Sequence, residues 1–260
     1  MAEGDTVFRW ARQLEAAFEG RQVETAEAPN ARSPLRRVAN RLVGLSLERT
    51  ESRGKHLILQ FHGGLALHAH MGMSGGWYVY GRGQNWKRPG KSAWLVLGLA
   101  GEGVEPVDVV EFGGPTLRLV RKVELGRDSR LASLGADLLA PDFDVKQGAA
   151  ALAAAGPMEL GEALLDQHRL AGIGNIFKSE SCFEAQLNPW RPVDSFRRDE
   201  LEELVAIAQR QLQTGVDTGQ RPHRIYRMAG KPCPGCRHRV NSRGQGLDNR
   251  ITYWCPSCQS

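Results

Sequence analysis

The chain has 260 residues, 41% hydrophobic and 24% charged, with a formal net charge of +5. That is enough apolar mass for packed cores, with no repeat or low-complexity tract. No run of 18 apolar residues occurs, which argues against a spanning helix, and the acidic, polar opening MAEGDTVFRW does not read as a secretion signal. A reducing, cytoplasmic setting is therefore expected.

The first element is a helix. In GDTVFRWARQLEAAFEG, Val7, Trp10, Ala11, Leu14 and Phe18 recur at i, i+3, i+4, i+7 and i+11 and make one apolar face. Asp5 or Thr6 is suited to cap its start and Gly20 its end. The period then changes to two. RLVGLSLERT, KHLILQFHGG, LALHAHMGMSG, WYVYG, AWLVLGLA and TLRLVRKVELG read as short strands between glycine-rich or charged turns, which implies a β-sandwich with the helix packed on it. RDSRLASLGADLLAPDFD is polar and punctuated and reads as a linker. From Val145 the pattern is helical, and Leu201, Leu204, Val205, Ala208 and Leu212 form a stripe ending near Gly215.

Four of the five cysteines fall in the last 28 positions, as Cys233/Cys236 and Cys255/Cys258, two C-x-x-C pairs separated by 18 residues. That spacing suits two knuckles of a small β-ribbon holding one tetrahedral zinc ion. Disulfides would need an oxidising compartment, which the opening segment does not support. Cys182 lies alone in an apolar helical stretch and reads as a core residue. From Arg221 onward there are eight Lys/Arg against one acid, Asp248, so this segment carries +7 while the remainder carries −2. A basic module on a near-neutral body is the footprint of a polyanion binder.

The expected architecture is α+β: an N-terminal β-sandwich with a flanking helix (1–126), a linker (127–144), a helical unit (145–222) and a C-terminal β-ribbon zinc finger (223–260). Within the helical unit, LLDQHRLAGIGNIFKSE joins two helices through a turn containing Gly172 and Gly174. Glycines let a backbone approach a phosphate, and a helix N-terminus favours anions. Asn175 stands there either as an N-cap or as a phosphate ligand.

These segments together resemble the formamidopyrimidine-DNA glycosylase / endonuclease VIII family. LLDQHRLAGIGNIFKSE is similar to its helix–two-turn–helix, CPGC…CPSCQ to its zinc finger, SRGKHL to its lysine strand and MAEGDTV to its catalytic N-terminus. The actinobacterial endonuclease VIII-like branch looks most similar. The resemblance implies a bifunctional glycosylase and abasic-site lyase of base excision repair, acting as a monomer on double-stranded DNA with oxidised bases or abasic sites. It implies one structural zinc ion, no organic cofactor, no membrane and a nucleoid-associated location in a bacterium. After removal of Met1, the α-amine of Ala2 becomes the nucleophile, with Glu3 as the proton-shuttling carboxylate and Lys55 as a phosphate contact aiding the lyase step. Asn175 and Arg250 grip the backbone around the flipped nucleotide, His70 contacts a phosphate, and Met73 is the wedge; without alignment, Met73 reads equally well as a core residue.

Three features depart from the family pattern. Position 2 is alanine rather than proline, position 6 is Thr6 rather than glutamate, and EFGGPTLRLV offers no match for the usual void-filling Arg-Phe pair. Only residues 216–225 separate Gly215 from Tyr226, too few for the loop that caps oxidised purines, which favours oxidised pyrimidines. A non-catalytic binder of damaged or abasic DNA, with the clamp kept and the nucleophile lost, stays open beside the enzyme.

Overall fold

The computed structural model describes residues 2–259. The chain folds into two compact units, one built from Ala2 and Thr6–Ala132 and the other from Glu3–Asp5 and the residues from Ser133 on.

In the first unit, α1 (Gly4–Phe18) is followed by β1 (Gln22–Glu27), β2 (Leu47–Arg53), β3 (His56–Phe61), β4 (Leu65–His70), β5 (Trp77–Gly81), β6 (Leu95–Gly101), β7 (Val104–Glu111) and β8 (Thr116–Arg121). Two short helices close it, α2 (Lys122–Leu125) and α3 (Ser129–Ala132). The strands form two four-stranded sheets, in the orders β1-β6-β7-β5 and β2-β3-β4-β8. Val7, Ala11, Leu14 and Phe18 of α1 share one core with Leu57, Leu59, Phe61, Leu67, Ala69, Leu95, Leu97, Leu99 and Val109. That is the expected sandwich with its helix. Leu59 is fully buried there, so Leu59→Ala should cost about 2–5 kcal/mol.

Several local expectations need correction. The strands β1 and β7 were not anticipated from the sequence pattern, and KVEL after β8 is helical rather than extended. Residues 39–42 form a 3-10 turn in place of the start of a strand. Asp5 and Thr6 lie inside the first turn of α1 rather than before it.

The second unit opens with β9 (Ala136–Asp137), inside the stretch read as linker, and continues through α4 (Val145–Ala153), α5 (Leu160–Ala163) and β10 (Leu170–Ala171). It ends with α6 (Asn175–Glu184), α7 (Arg198–Thr218), β11 (Asn241–Gln245) and β12 (Arg250–Trp254). The Asp144 side chain caps α4 by accepting from the Gln147 N–H at 2.8 Å. β9 and β10 pair in parallel. Leu152, Leu160, Leu164, Ile173 and Phe177 pack with Leu201, Leu204, Val205, Ala208 and Leu212, the expected stripe of α7. That helix runs three residues past Gly215 and stops at Gly219, whose φ of 70° supplies the left-handed cap. The antiparallel β11–β12 hairpin carries Arg250 at its start and leads into the second cysteine pair. Among the described residues, no helix is long and apolar enough to cross a membrane.

Candidate nucleic-acid interface and metal centre

In the first unit the expected residues gather around the β2–β3 hairpin and the loop after β4. The Ala2 N–H donates to the Gly72 carbonyl at 3.4 Å. Lys55 sits in the two-residue turn between Arg53 and His56 rather than within a strand, and Gly54 supplies the positive φ (56°) that such a hairpin loop needs. His70 faces His56 across the β3–β4 ladder, ring centroids 4.9 Å apart. Burial pushes the His70 pKa down, and the Lys55 ammonium pushes it further the same way. His56 in turn shares a 2.9 Å N···N hydrogen bond with His68, so one ring donates and the other accepts.

Met73 lies in the loop between β4 and β5 and is 70% exposed, which rules out a core role. An exposed methionine in that loop has the shape and softness of a wedge. Phe112, in the segment where an Arg-Phe pair was sought, is buried against Tyr78 and Trp86 and belongs to a core.

In the second unit the sequence reading placed a phosphate at the N-terminus of α6, but a protein carboxylate holds that position. The Ile176 N–H donates to Glu3 Oε1 at 2.9 Å and the Phe177 N–H to Oε2 at 3.4 Å. The glycines of the turn make room for this segment rather than for a ligand. A Cβ on Gly174 would stand 2.3 Å from Glu3 Cδ, and one on Gly4 only 3.0 Å from Gly172 Cα. Gly172 itself has φ 103°. Glu3 is fully buried, so its carboxylate is fixed by a helix end that stabilises negative charge.

Asp5 is held as firmly. Arg221 grips it with two nitrogens, Nε at 2.7 Å and Nη2 at 2.5 Å, and the guanidinium lies over the Phe177 ring. A Cβ on Gly215 would meet Asp5 Oδ2 at 2.9 Å, so that glycine also serves the N-terminal segment.

Asn175 is the first residue of α6 and not its cap; Gly174 is the cap. Its Nδ2 donates to the Ile251 carbonyl at 2.6 Å, beside Arg250 on β12. A second polar chain runs parallel. Lys178 Nζ donates to Thr252 Oγ1 at 2.6 Å, Thr252 donates to Gln245 Oε1 at 2.6 Å, and Gln245 Nε2 donates to the Pro189 carbonyl at 2.8 Å. The Glu180 carboxylate accepts from the backbone N–H groups of Arg224, Ile225 and Tyr226 at 2.8–3.0 Å. Lys178, Glu180, Gln245 and Thr252 were not singled out from the sequence. The available signal was KSES on an otherwise apolar helix, a run of polar side chains that are all buried.

The four sulfurs Cys233, Cys236, Cys255 and Cys258 lie within 4.8 Å of one another. Cys233 and Cys258 Sγ are 3.8 Å apart, and Cys236 and Cys255 Sγ 3.4 Å. Tetrahedral Zn–S bonds of about 2.3 Å place sulfurs about 3.8 Å apart, so the set fits such an ion, while a disulfide needs about 2 Å. Cys182 is fully buried, and burial pushes its thiol up to about 12, as a core cysteine requires. The largest surface cavity, about 840 Å³ between α1, β1 and β2, contains none of these residues.

A β-sandwich followed by a helix–two-turn–helix and a four-cysteine hairpin defines a class of DNA-repair protein architecture, and comparison agrees. The formamidopyrimidine-DNA glycosylase N-terminal domain matches residues 1–114, and the family's H2TH domain matches residues 134–226. The chain belongs to the formamidopyrimidine-DNA glycosylase family. It is 38% identical over its whole length to a probable endonuclease 8 2 of Streptomyces coelicolor, covering 94% of that protein. To the DNA-(apurinic or apyrimidinic site) lyase Nei2 of Mycolicibacterium smegmatis it is 32% identical, covering all of this chain and 99% of that one. The fold matches Lactococcus lactis formamidopyrimidine-DNA glycosylase bound to abasic-site DNA, with a TM-score of 0.83, 20% identity and 99% of each chain covered.

Proposed function

We propose that this protein is a bifunctional DNA glycosylase and abasic-site lyase of base excision repair, acting on double-stranded DNA with oxidised bases, pyrimidines foremost, or abasic sites. The observation that carries this reading is the placement of Glu3: a fully buried carboxylate fixed on the N-terminus of α6, directly after the residue that would act as nucleophile.

Once Met1 is removed, Ala2 bears a free α-amine, with an unperturbed pKa of about 7.7–8.0 and therefore a nucleophilic fraction at neutral pH. Attack of that amine on the sugar C1′ expels the base, and the base carries away the glycosidic electron pair. Loss of the ring oxygen's bond to C1′ then gives a Schiff base, with Glu3 giving and taking the protons this requires. The imine acidifies the adjacent sugar proton, and its removal breaks the 3′ phosphate ester bond. Alanine gives a primary amine, so its imine needs a proton that proline's iminium does not.

Lys55 and neutral His70 are suited to phosphate contacts beside the lesion, Asn175 and Arg250 to the backbone of the flipped nucleotide, and Met73 to the gap it leaves. Arg250 sits on a hairpin whose base ends in the four cysteines. One zinc ion held by Cys233, Cys236, Cys255 and Cys258 would supply rigidity alone, since four thiolates leave no open position for water.

Alanine at position 2 favours one other reading, a binder of abasic or damaged DNA that performs no chemistry. Borohydride trapping separates the two. Met1-free protein incubated with an abasic duplex should give a covalent adduct that maps to the Ala2 amine, and a retained Met1 or an N-terminal tag should abolish it. Tight binding by the untagged, Met1-free protein with neither adduct nor strand cleavage would leave the binding module as the function.

A further inference from the structure

Lys178 is unusual for a lysine. It lies one turn into α6 with its side chain fully buried, where an ammonium is disfavoured and a neutral donor would satisfy Thr252 equally well. The groups facing it are few. Cys182, one turn along the same helix, stays a thiol. Arg250 from β12 is a like charge, and Glu3 from the N-terminal segment is the opposite one. Arg221 also faces Glu3, but its guanidinium is engaged by Asp5. Lys178 is thus the buried cation left to offset the Glu3 carboxylate behind the helix end that holds it.

We propose that Lys178 is a positioning residue for the reaction: its ammonium keeps Glu3 ionised on the N-terminus of α6, while its hydrogen bond to Thr252 seats the Arg250 hairpin on the same helix. The proposal rests on the glycosylase/lyase reading above. A carboxylate that must accept a proton at neutral pH benefits from a nearby positive charge in a site with little water. Burial lowers the Lys178 pKa to about 8, so this charge is present at neutral pH and fades in alkali.

The two roles separate by mutation. Thr252→Val removes the hydroxyl and keeps the charge; Lys178→Met removes both; Lys178→Arg keeps a charge at every pH. Single-turnover cleavage of an abasic duplex by full-length, zinc-loaded protein is measured from pH 5 to 9, with duplex affinity in parallel. Lys178→Met should move the acid limb of the rate profile upward by about one pH unit, a tenfold loss on that limb. Thr252→Val should weaken binding and leave the acid limb in place. Lys178→Arg should keep the wild-type acid limb and hold its rate above pH 8, where the wild type declines. If Lys178→Met does not fold, Lys178→Gln and the Lys178→Arg alkaline limb carry the test. Acid limbs identical in the wild type and a folded neutral variant, or an arginine profile that declines above pH 8 like the wild type, overturn the proposal. A wild type with no cleavage at all instead overturns the functional reading.

Discussion

Two sets of buried titratable side chains in the first unit give its stability a pH dependence of opposite signs. Glu111 stands opposite Trp77 on β7 with no exposed surface, and burial pushes its carboxyl up to about 8 against the weaker pull of the Gly113 N–H and Arg88. Above pH 4.5 the unfolded chain ionises this group while the folded chain keeps its proton, so stability falls as pH rises from 4.5 to 8. At pH 7 the cost is roughly 3 kcal/mol. His56 and His68 work the other way. Burial holds them down at about 3 and about 4, so below pH 6.5 the unfolded chain takes protons that the folded chain refuses. Their contribution is intact above pH 6.5 and is lost as pH drops toward 4. Calorimetry should therefore find that Glu111→Gln raises Tm at pH 8 and changes it little at pH 4.5. A gap that does not grow with pH would show that Glu111 is ionised in the folded chain.

At the scale of elements, α6 does more than its sequence shows. Its first turn binds Glu3 and its side chains reach β12, and both depend on the bare Cα of Gly174. Gly174→Ala should displace Glu3 and lower single-turnover cleavage by at least tenfold, with zinc content and hairpin geometry kept. Activity within twofold of the wild type would mean that the carboxylate does not need this seat. The hairpin answers to a different constraint. Cys255→Ser should release the metal and with it DNA affinity, read by metal analysis and a binding isotherm, because a hairpin this small has only Phe183, Ile225 and Val240 beside its cysteines for a core. What could be read from the sequence follows the same division. Helix α1, the stripe of α7, six strands and the cysteine quartet follow from period and spacing. Strand β1, QVETAE, buries little beyond Val23, so its pattern carries no apolar alternation. Strand β7 contains Pro106, which is tolerated because the β6–β7 register shifts between Leu99 and Gly101 on the facing strand. The anchoring of Glu3, Asp5 and Asn175 was not legible, because its partners come from residues about 76 to 216 positions away.

At the scale of the whole chain, the charge that marks a DNA-binding protein is concentrated after Arg221, but not all of it is available to phosphate. Of the eight Lys/Arg in that segment, Arg221 is committed to Asp5, and the remainder include Arg243 stacked on Trp190 with its centre 3.8 Å from the ring and Arg250 on the hairpin. A zinc ion with four thiolates would subtract a further two charges. The number of phosphates engaged is therefore smaller than the formal +7 suggests, and salt dependence measures it. Each cation–phosphate contact contributes about 0.9 to the slope of log affinity against log salt. Arg250→Ala should lower that slope by about one on intact, abasic and oxidised duplexes alike, because a phosphate contact carries no sequence information. Arg221→Lys should behave differently. Lysine loses the two-nitrogen grip on Asp5, so Tm should fall while the slope stays within error of the wild type. A reduced slope in Arg221→Lys would place Arg221 among the phosphate contacts. An unchanged slope in Arg250→Ala would remove Arg250 from them, and with it the reason for a rigid hairpin at that position.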